Sequence, residues 1–187
     1  MNTGTISSRY ARAFLEYAVE LSEDGTAYRE MAVLQQRLRD IPEINRRIMD
    51  PTVSNADKQR LLEIAITDGK GKVSGATASF LKLVIEAGRA GMLLFMATSY
   101  MEQYRSRNCI VPVKLTTATA AGDERRERLS KLVDKVTDCS QEWSHEVDPS
   151  IEGGFILQVG DYRLDASVAS QLRKIRKELI EKNNRVI

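Results

Sequence analysis

Residues 148–187, DPSIEGGFILQVGDYRLDASVASQLRKIRKELIEKNNRVI, carry the reading that decides the fold. Asp148-Pro149 closes one element, and Gly153-Gly154 lets the backbone turn where a Cβ would obstruct it. Phe155, Leu157 and Val159 alternate with Ile156, Gln158 and Gly160, the period of a strand with one apolar face. Gly160-Asp161 marks a tight turn into a short return segment, Tyr162-Arg163-Leu164. Asp165 and Ser167 stand where they cap a helix in which Val168, Leu172, Ile175 and Leu179 recur at helical spacing. The pattern predicts a β-hairpin packed by a terminal amphipathic helix. No acid, base or nucleophile is placed for chemistry, so Gly153, Gly154, Asp161 and Asp165 are assigned to turn geometry.

Upstream of this segment, residues 110–117 alternate Val111, Val113 and Leu115 with Pro112, Lys114 and Thr116. Pro112 has no N–H to donate, which predicts an edge strand or one paired on a single side. Gly122-Asp123 opens a predicted helix with Leu129, Leu132, Val133 and Val136 on one face, and residues 142–147 read as a strand. The second half is therefore read as a small α/β unit, β-α-β-β-α.

Residues 1–108 read as an all-α, six-helix bundle. The first helix shows the stripe Ile6, Tyr10, Ala13, Phe14, Tyr17, Ala18 and Leu21, and the second shows Ala27, Met31, Leu34 and Leu38. Pro42 opens a short third helix carrying Ile44 and Ile48, stopped at Asp50-Pro51. Ser54-Asn55-Ala56-Asp57 resembles a capping box with Asp in place of Glu, ahead of Leu61, Leu62, Ile64 and Ala65. After a loop at residues 69–75, Phe80, Leu83, Val84 and Ala87 mark a fifth helix with Gly88 as its C-cap, and a sixth covers about 92–105. The change of period near Asn108 sets the predicted domains at 1–108 and 109–187, a mainly α protein.

Composition narrows the function classes. The chain has 187 residues, 42% of them hydrophobic, enough for a real core. Its 28 basic and 26 acidic residues nearly cancel, and neither half holds the cationic surplus that binding to nucleic acid requires. Cys109 and Cys139 lack metal or redox spacing and suit small buried positions, so a reducing compartment is the default. The longest uncharged apolar run, residues 90–101, is too short to cross a bilayer. Residues 1–15 contain Arg9 and Arg12 and no acid, as a transit peptide would. The stripe nevertheless runs on through Glu16 and Glu20, which favours a mature helix and a bacterial protein.

Each candidate site in the sequence also has a plainer reading. Residues 68–75, DGKGKVSG, lack the spacing and preceding strand of a phosphate loop and read as an interhelical loop. His145 is the only histidine, so a metal site built on paired histidines fails at the first step. Trp143 reads as core. Arg173, Lys174, Arg176 and Lys177 are either a solvated face, suited to the second half of a helix, or a contact for an acidic partner helix. The aromatics and alanines of the first helix cover more than one face, so they serve the core, a partner groove, or both.

The order Asp-Pro-Ser, Gly-Gly-Phe, Val-Gly-Asp, Asp-x-Ser near the C-terminus resembles the signature of the F-type ATP synthase delta subunit family. The mitochondrial counterpart is the oligomycin-sensitivity-conferring protein. SSRYARAFLEYA and Glu86-Ala87-Gly88-Arg89 fit the same family, with Asp165-Ala166-Ser167 standing where Asp-Gly-Ser is usual. The resemblance implies a non-catalytic peripheral-stalk subunit without cofactor or metal. On it, the helical domain binds N-terminal helices of alpha subunits, and the second domain binds C-terminal helices of the b subunits. It implies a groove between the first and fifth helices, at or just above Tyr10, Phe14, Tyr17, Phe80 and Leu81. It also implies attachment to the inner face of a bacterial membrane through the complex alone, with a mitochondrial matrix as the second choice. A helical nucleic-acid-binding protein, or another adaptor, is the alternative.

Overall fold

Caps and breakers divide the first 108 residues into helices. The computed structural model describes residues 3–119, 129–130, 133–134 and 137–183. It is mainly helical with one small sheet, and it separates into two compact units, Met1–Asn108 and Cys109–Ile187. The first unit contains α1 (Thr3–Glu20), α2 (Asp24–Asp40), α3 (Pro42–Met49), α4 (Asn55–Thr67) and α5 (Gly75–Glu86). A single 3₁₀ turn, Ala90–Met92, then leads into α6 (Leu93–Arg107).

Local chemistry accounts for these boundaries. Pro42 occupies the first turn of α3, where its missing N–H costs nothing. Ser54 Oγ accepts from the Asp57 N–H at 3.1 Å. Asp57 completes this cap differently from a Glu: its shorter carboxylate accepts from the Ser54 hydroxyl at 2.6 Å. Gly88 ends α5 at φ +67°, with its N–H on Ile85 O and the Arg89 N–H on Val84 O, a Schellman motif.

The core of this unit forms where α1 meets α5 and α6, and where α2 meets α4 and α6. In α2 the residues read from periodicity, Ala27, Met31, Leu34 and Leu38, are all buried. In α1 the stripe splits. Its buried face is Ser7, Ala11, Phe14, Leu15 and Ala18, while Ile6, Tyr10, Ala13 and Tyr17 stay at or near the surface. Two further assignments fail for the same reason. Ile64 and Leu83, expected in the stripes of α4 and α5, are about half exposed, and Ile66, Leu81 and Ile85 are buried in their helices instead.

The second unit holds β1 (Ile110–Thr117), β2 (Ser140–Val147), β3 (Phe155–Val159), β4 (Tyr162–Asp165) and α7 (Val168–Asn183). The strand order is β2-β1-β3-β4, with β1 parallel to β2 and antiparallel to β3. The described residues thus hold four strands, not the three of β-α-β-β-α, because the return segment pairs fully with β3. Most of the predicted helix beginning at Gly122-Asp123 lies outside the described residues. Within it, Leu129 and Val133 pack on Val113, Leu115 and Leu157.

Three expectations for this unit are corrected. First, β1 is a central strand despite Pro112. The antiparallel ladder to β3 begins only at Val113, so no partner there requires the missing N–H, and Pro112 O accepts from Gly160 N at 2.9 Å. Second, Cys109 and Cys139 are neither buried nor reduced; they form a disulfide with Cα atoms 5.0 Å apart. Parallel pairing of the strands that follow them brings the two residues together, and sequence spacing alone gives no sign of that pairing. Third, α7 does not bury its apolar row over the hairpin: Leu172 and Ile175 are 53% and 54% exposed.

Gly154 shows what the double glycine is for. It sits at φ +76°, and a Cβ there would lie 2.2 Å from the Ala166 carbonyl oxygen. Neither atom can move, because Ala166 N also donates to Phe155 O and Val168 N to Gly153 O. We therefore expect Gly154→Val to abolish cooperative melting of the second unit while leaving the transition of the first within a few degrees. Calorimetry with hydrogen exchange checks this, and simultaneous loss of both transitions would contradict it.

Candidate functional site

An apolar groove of about 760 Å³ lies between α1 and α5. Ile6, Tyr10, Ala13 and Tyr17 form one wall, Ser79 and Leu83 the other, Phe14 and Phe80 the floor, and Arg9 and Arg89 add cationic groups to the lining. The floor is an aromatic stack. The rings of Phe14 and Phe80 are 4.2 Å apart and nearly parallel, and Phe14 also meets Tyr100 of α6 at 4.6 Å. Tyr100 is fully buried; its hydroxyl donates to Asp24 O at 3.1 Å, and burial pushes its phenol pKa well up.

The α5 wall is held at both of its ends. Glu30 of α2 accepts from the Ser74 N–H at 2.7 Å and the Ser74 hydroxyl at 2.6 Å. Glu23, just before α2, accepts from the Ala76 N–H at 2.7 Å. These carboxylates satisfy donors at the α5 N-terminus and complement its dipole, so α5 starts at a fixed place against α2. They also fill the position a phosphate would need, which removes the phosphate-loop reading of residues 68–75. At the other end of α5 the Schellman turn aims Arg89 back at α1. Its Nη1 donates to Tyr10 Oη at 2.6 Å, and the guanidinium carbon lies 5.1 Å from the ring centroid.

Of the five residues expected at a groove, Tyr10, Phe14, Tyr17 and Phe80 line this one. Leu81 does not: it is fully buried in the bundle core. Sequence reading missed Ile6, Arg9, Ser79, Leu83 and Arg89 as lining residues. Leu83 carried a signal, since it follows Phe80 by three and shares its face of the helix. Gly88 carried another, because a left-handed C′ glycine reverses the chain and throws Arg89 back along α5.

In the second unit the signature residues build turns. Gly160 (φ +55°) and Asp161 are the two central residues of the β3–β4 hairpin, with the left-handed residue first, the pattern of a type II′ turn. Gly153 lies against Val168, whose Cγ2 would be 3.1 Å from an added Cβ. Asp165 Oδ1 accepts from the Ser167 N–H at 3.0 Å and the Ser167 hydroxyl at 2.6 Å, and Oδ2 accepts from the Ser170 hydroxyl at 2.9 Å. Ser167 Oγ in turn accepts from the Ser170 N–H, the N-cap bond of α7. These bonds, the Ser167 hydroxyl first, lower the Asp165 pKa to about 2.

His145 is a structural side chain. Its Nε2 lies 2.8 Å from Thr117 Oγ1, whose own proton goes to Thr119 O at 2.6 Å, so Nε2 is the donor. Trp143 packs beside Val113 and Leu115 and donates to Gln141 Oε1. Arg173, Lys174, Arg176 and Lys177 are all exposed on α7. Among the described residues no three His, Cys, Asp or Glu side chains converge as metal ligands would.

Comparison with known proteins fits this arrangement. The family model described as ATP synthase delta (OSCP) subunit matches residues 6–179. The ATP synthase subunit delta of Phocaeicola vulgatus is 38% identical over 187 residues, covering 100% of both chains. That of Lactobacillus acidophilus is 34% identical, covering 95% of this chain and 96% of its own. A chain of the Toxoplasma gondii mitochondrial ATP synthase hexamer, solved by cryo-electron microscopy, shares the fold. It has a TM-score of 0.65 at 21% identity, covering 93% of this chain and 97% of that one.

The Asp165 network has a pH signature. Because its folded pKa lies below the ordinary 3.8, its stabilisation is fully present above about pH 4 and is lost as pH falls towards 2. Asp165→Asn should lower the melting temperature of the second unit at pH 7 and flatten its decline between pH 4 and 2. The slope that remains comes from groups such as Asp148, whose pKa the Ser150 bonds also lower. Melts across that range test this, and an unchanged slope would refute it.

Proposed function

This chain belongs to the ATP synthase delta (OSCP) subunit family, and from that premise we propose that it is the stator adaptor of a peripheral stalk. The family is structural and non-catalytic. In this reading the first unit grips N-terminal helices of alpha subunits on the catalytic head, and the second grips C-terminal helices of the b subunits. A stator must resist rotor torque, which calls for two firm interfaces and no reaction centre.

The α1–α5 groove is the observation that carries the reading. From Ile6 to Tyr17 it follows α1 for about 16 Å, at about 1.5 Å per residue, the length of roughly three turns of a guest helix. Its floor is pre-organised by the Phe14–Phe80 stack, so a guest pays little to order it. Tyr17 and Leu83, 41% and 53% exposed, are large apolar side chains that a guest would cover, each contributing about 1 kcal/mol. Arg9 and Arg89 favour a guest with acidic residues along its edge.

Support for the second interface comes from α7. Val168, Leu172 and Ile175 leave an exposed apolar row on a helix that also carries Arg173, Lys174 and Arg176. That combination suits an amphipathic partner helix with acidic flanks. No helix among the described residues is long and apolar enough to cross a membrane, so in this reading the chain reaches the membrane through its partners.

Substitutions at exposed groove positions test the reading without unfolding the bundle. Phe14 is unsuitable, being 3% exposed and part of the core. Tyr17→Asp and Leu83→Asp should each weaken binding of the alpha-subunit N-terminal peptide at least about tenfold, or about 1.4 kcal/mol. Ile64→Asp, an exposed apolar position on α4, should leave it unchanged. Titration calorimetry measures this. Equal affinity in all four proteins would sink the assignment.

A further inference from the structure

The Cys109–Cys139 disulfide has no role in either proposed interface, yet its position in the sheet is specific. The strands that follow the two cysteines pair in register from Ile110 opposite Ser140 to Thr117 opposite Val147. Cys109 and Cys139 therefore extend the same register by one step, and Ser140 N donates to Cys109 O at 2.9 Å beside the bond. The covalent link closes the starting end of a parallel strand pair, and the whole β1–β2 crossover lies inside the closed loop.

The strand it holds is otherwise fixed by its ladder to β1 and by side-chain contacts that include Gln141 Nε2 on Asp134 Oδ1 and Lys114 Nζ on Glu146 Oε2 at 2.6 Å. β2 is the edge of the sheet, paired on one side only. Its sequence, SQEWSHEV, is polar, and Trp143 is its main contribution to the apolar core of this unit. At the far end it is fixed by the Asp148 N–H on Thr117 O and by His145 on Thr117. At the near end the bonded cysteine stands in an unusual conformation. Cys109 lies at φ +48°, a region a non-glycine residue enters only when its surroundings hold it there. Remove the link and Cys109 is free to relax to an ordinary backbone geometry, taking the Ser140 hydrogen bond with it.

Cys109 is exposed and Cys139 partly so, which makes the bond reachable by a dissolved or protein-borne dithiol. We propose that Cys109–Cys139 is a redox-operated latch that sets how firmly β2 is held at the edge of the second unit. A dithiol thiolate attacks Cys109 Sγ, the sulfur–sulfur bond breaks, and the Cys139 thiolate leaves and takes up a proton. The second thiol of the reductant then resolves the mixed disulfide, releasing Cys109 as a thiol. Two electrons and two protons pass to the protein, and the dithiol leaves as its own disulfide. In the oxidised form β2 is pinned at both ends; in the reduced form it frays from Ser140 inward. The latch stands independently of the stator reading, since it concerns the sheet itself.

The test uses the full chain. Cells quenched in acid and alkylated with N-ethylmaleimide should yield a fraction of the protein with both thiols protected as the disulfide, and dithiothreitol should convert it to the doubly alkylated mass. Hydrogen exchange of oxidised and reduced protein should then differ at residues 140–147 by at least about tenfold, with residues 3–107 unchanged. The melting temperature of the second unit should fall by more than about 5 °C on reduction. The Cys109→Ser/Cys139→Ser protein should match the reduced form and ignore reductant; should it fail to fold, the reduced wild-type chain supplies the same comparison. Complete alkylation without reductant, both in cells and after aerobic purification, overturns the proposal. So does identical exchange at 140–147 in the two redox states.

Discussion

The stack of Phe80 on Phe14, continued to Tyr100, is the contact on which the first unit depends. It joins α5, α1 and α6 through three rings, two of which also form the floor of the groove. A helix packed only against its own bundle needs one apolar stripe, and α1 has two that share Phe14. Core stability and the surface offered to a partner are thus set by the same side chain. The carboxylates of Glu23 and Glu30 at the start of α5 and the Gly88 turn at its end fix the opposite wall. The α5 wall keeps its place because it is anchored at its start by Glu23 and Glu30 and at its end by the Arg89–Tyr10 bond.

The second unit rests on a different constraint. A hairpin and a helix must meet where Gly154 passes the Ala166 carbonyl, closer than any side chain allows. Around that point the polar groups are satisfied in sequence: Asp148 caps its turn, Asp165 bonds two serines, and Ser167 caps α7. These local bonds order the joint between hairpin and helix beside a core whose buried members, among the described residues, are Val113, Leu115, Val133 and Leu157. An edge strand such as β2 depends on other fixings, and there the disulfide acts. The apolar row of α7 stays exposed.

The two units therefore divide the proposed task along physical lines. One is a large helical core with a preformed groove, suited to receiving a short helix without rearrangement. The other is a small sheet with an exposed amphipathic helix, suited to joining an existing helical bundle. Neither brings ionisable groups together in a closed pocket among the described residues; Asp165 and Tyr100 have shifted pKa values for structural reasons, hydrogen bonding in one and burial in the other.

Local rules made much of the chain legible in the sequence. The α2 core positions follow from helical spacing, the starts of α3 and α4 from Pro42 and Ser54, and the hairpin from Gly160-Asp161. Three groove residues, Tyr10, Phe14 and Tyr17, could be named because bulky aromatics recur on α1. Family likeness, carried by turn residues, was legible for the same reason: turns depend on a few adjacent side chains. Tertiary structure alone decided which of the two α1 stripes is buried, that Leu81 turns inward while Leu83 turns out, and that Arg89 closes on Tyr10. It also decided that β1 is central despite Pro112, that Cys109 meets Cys139, and that the α7 row stays uncovered. Periodicity fixes the angle of a side chain around its own helix or strand, but what lies at that angle is set by segments far away in the chain.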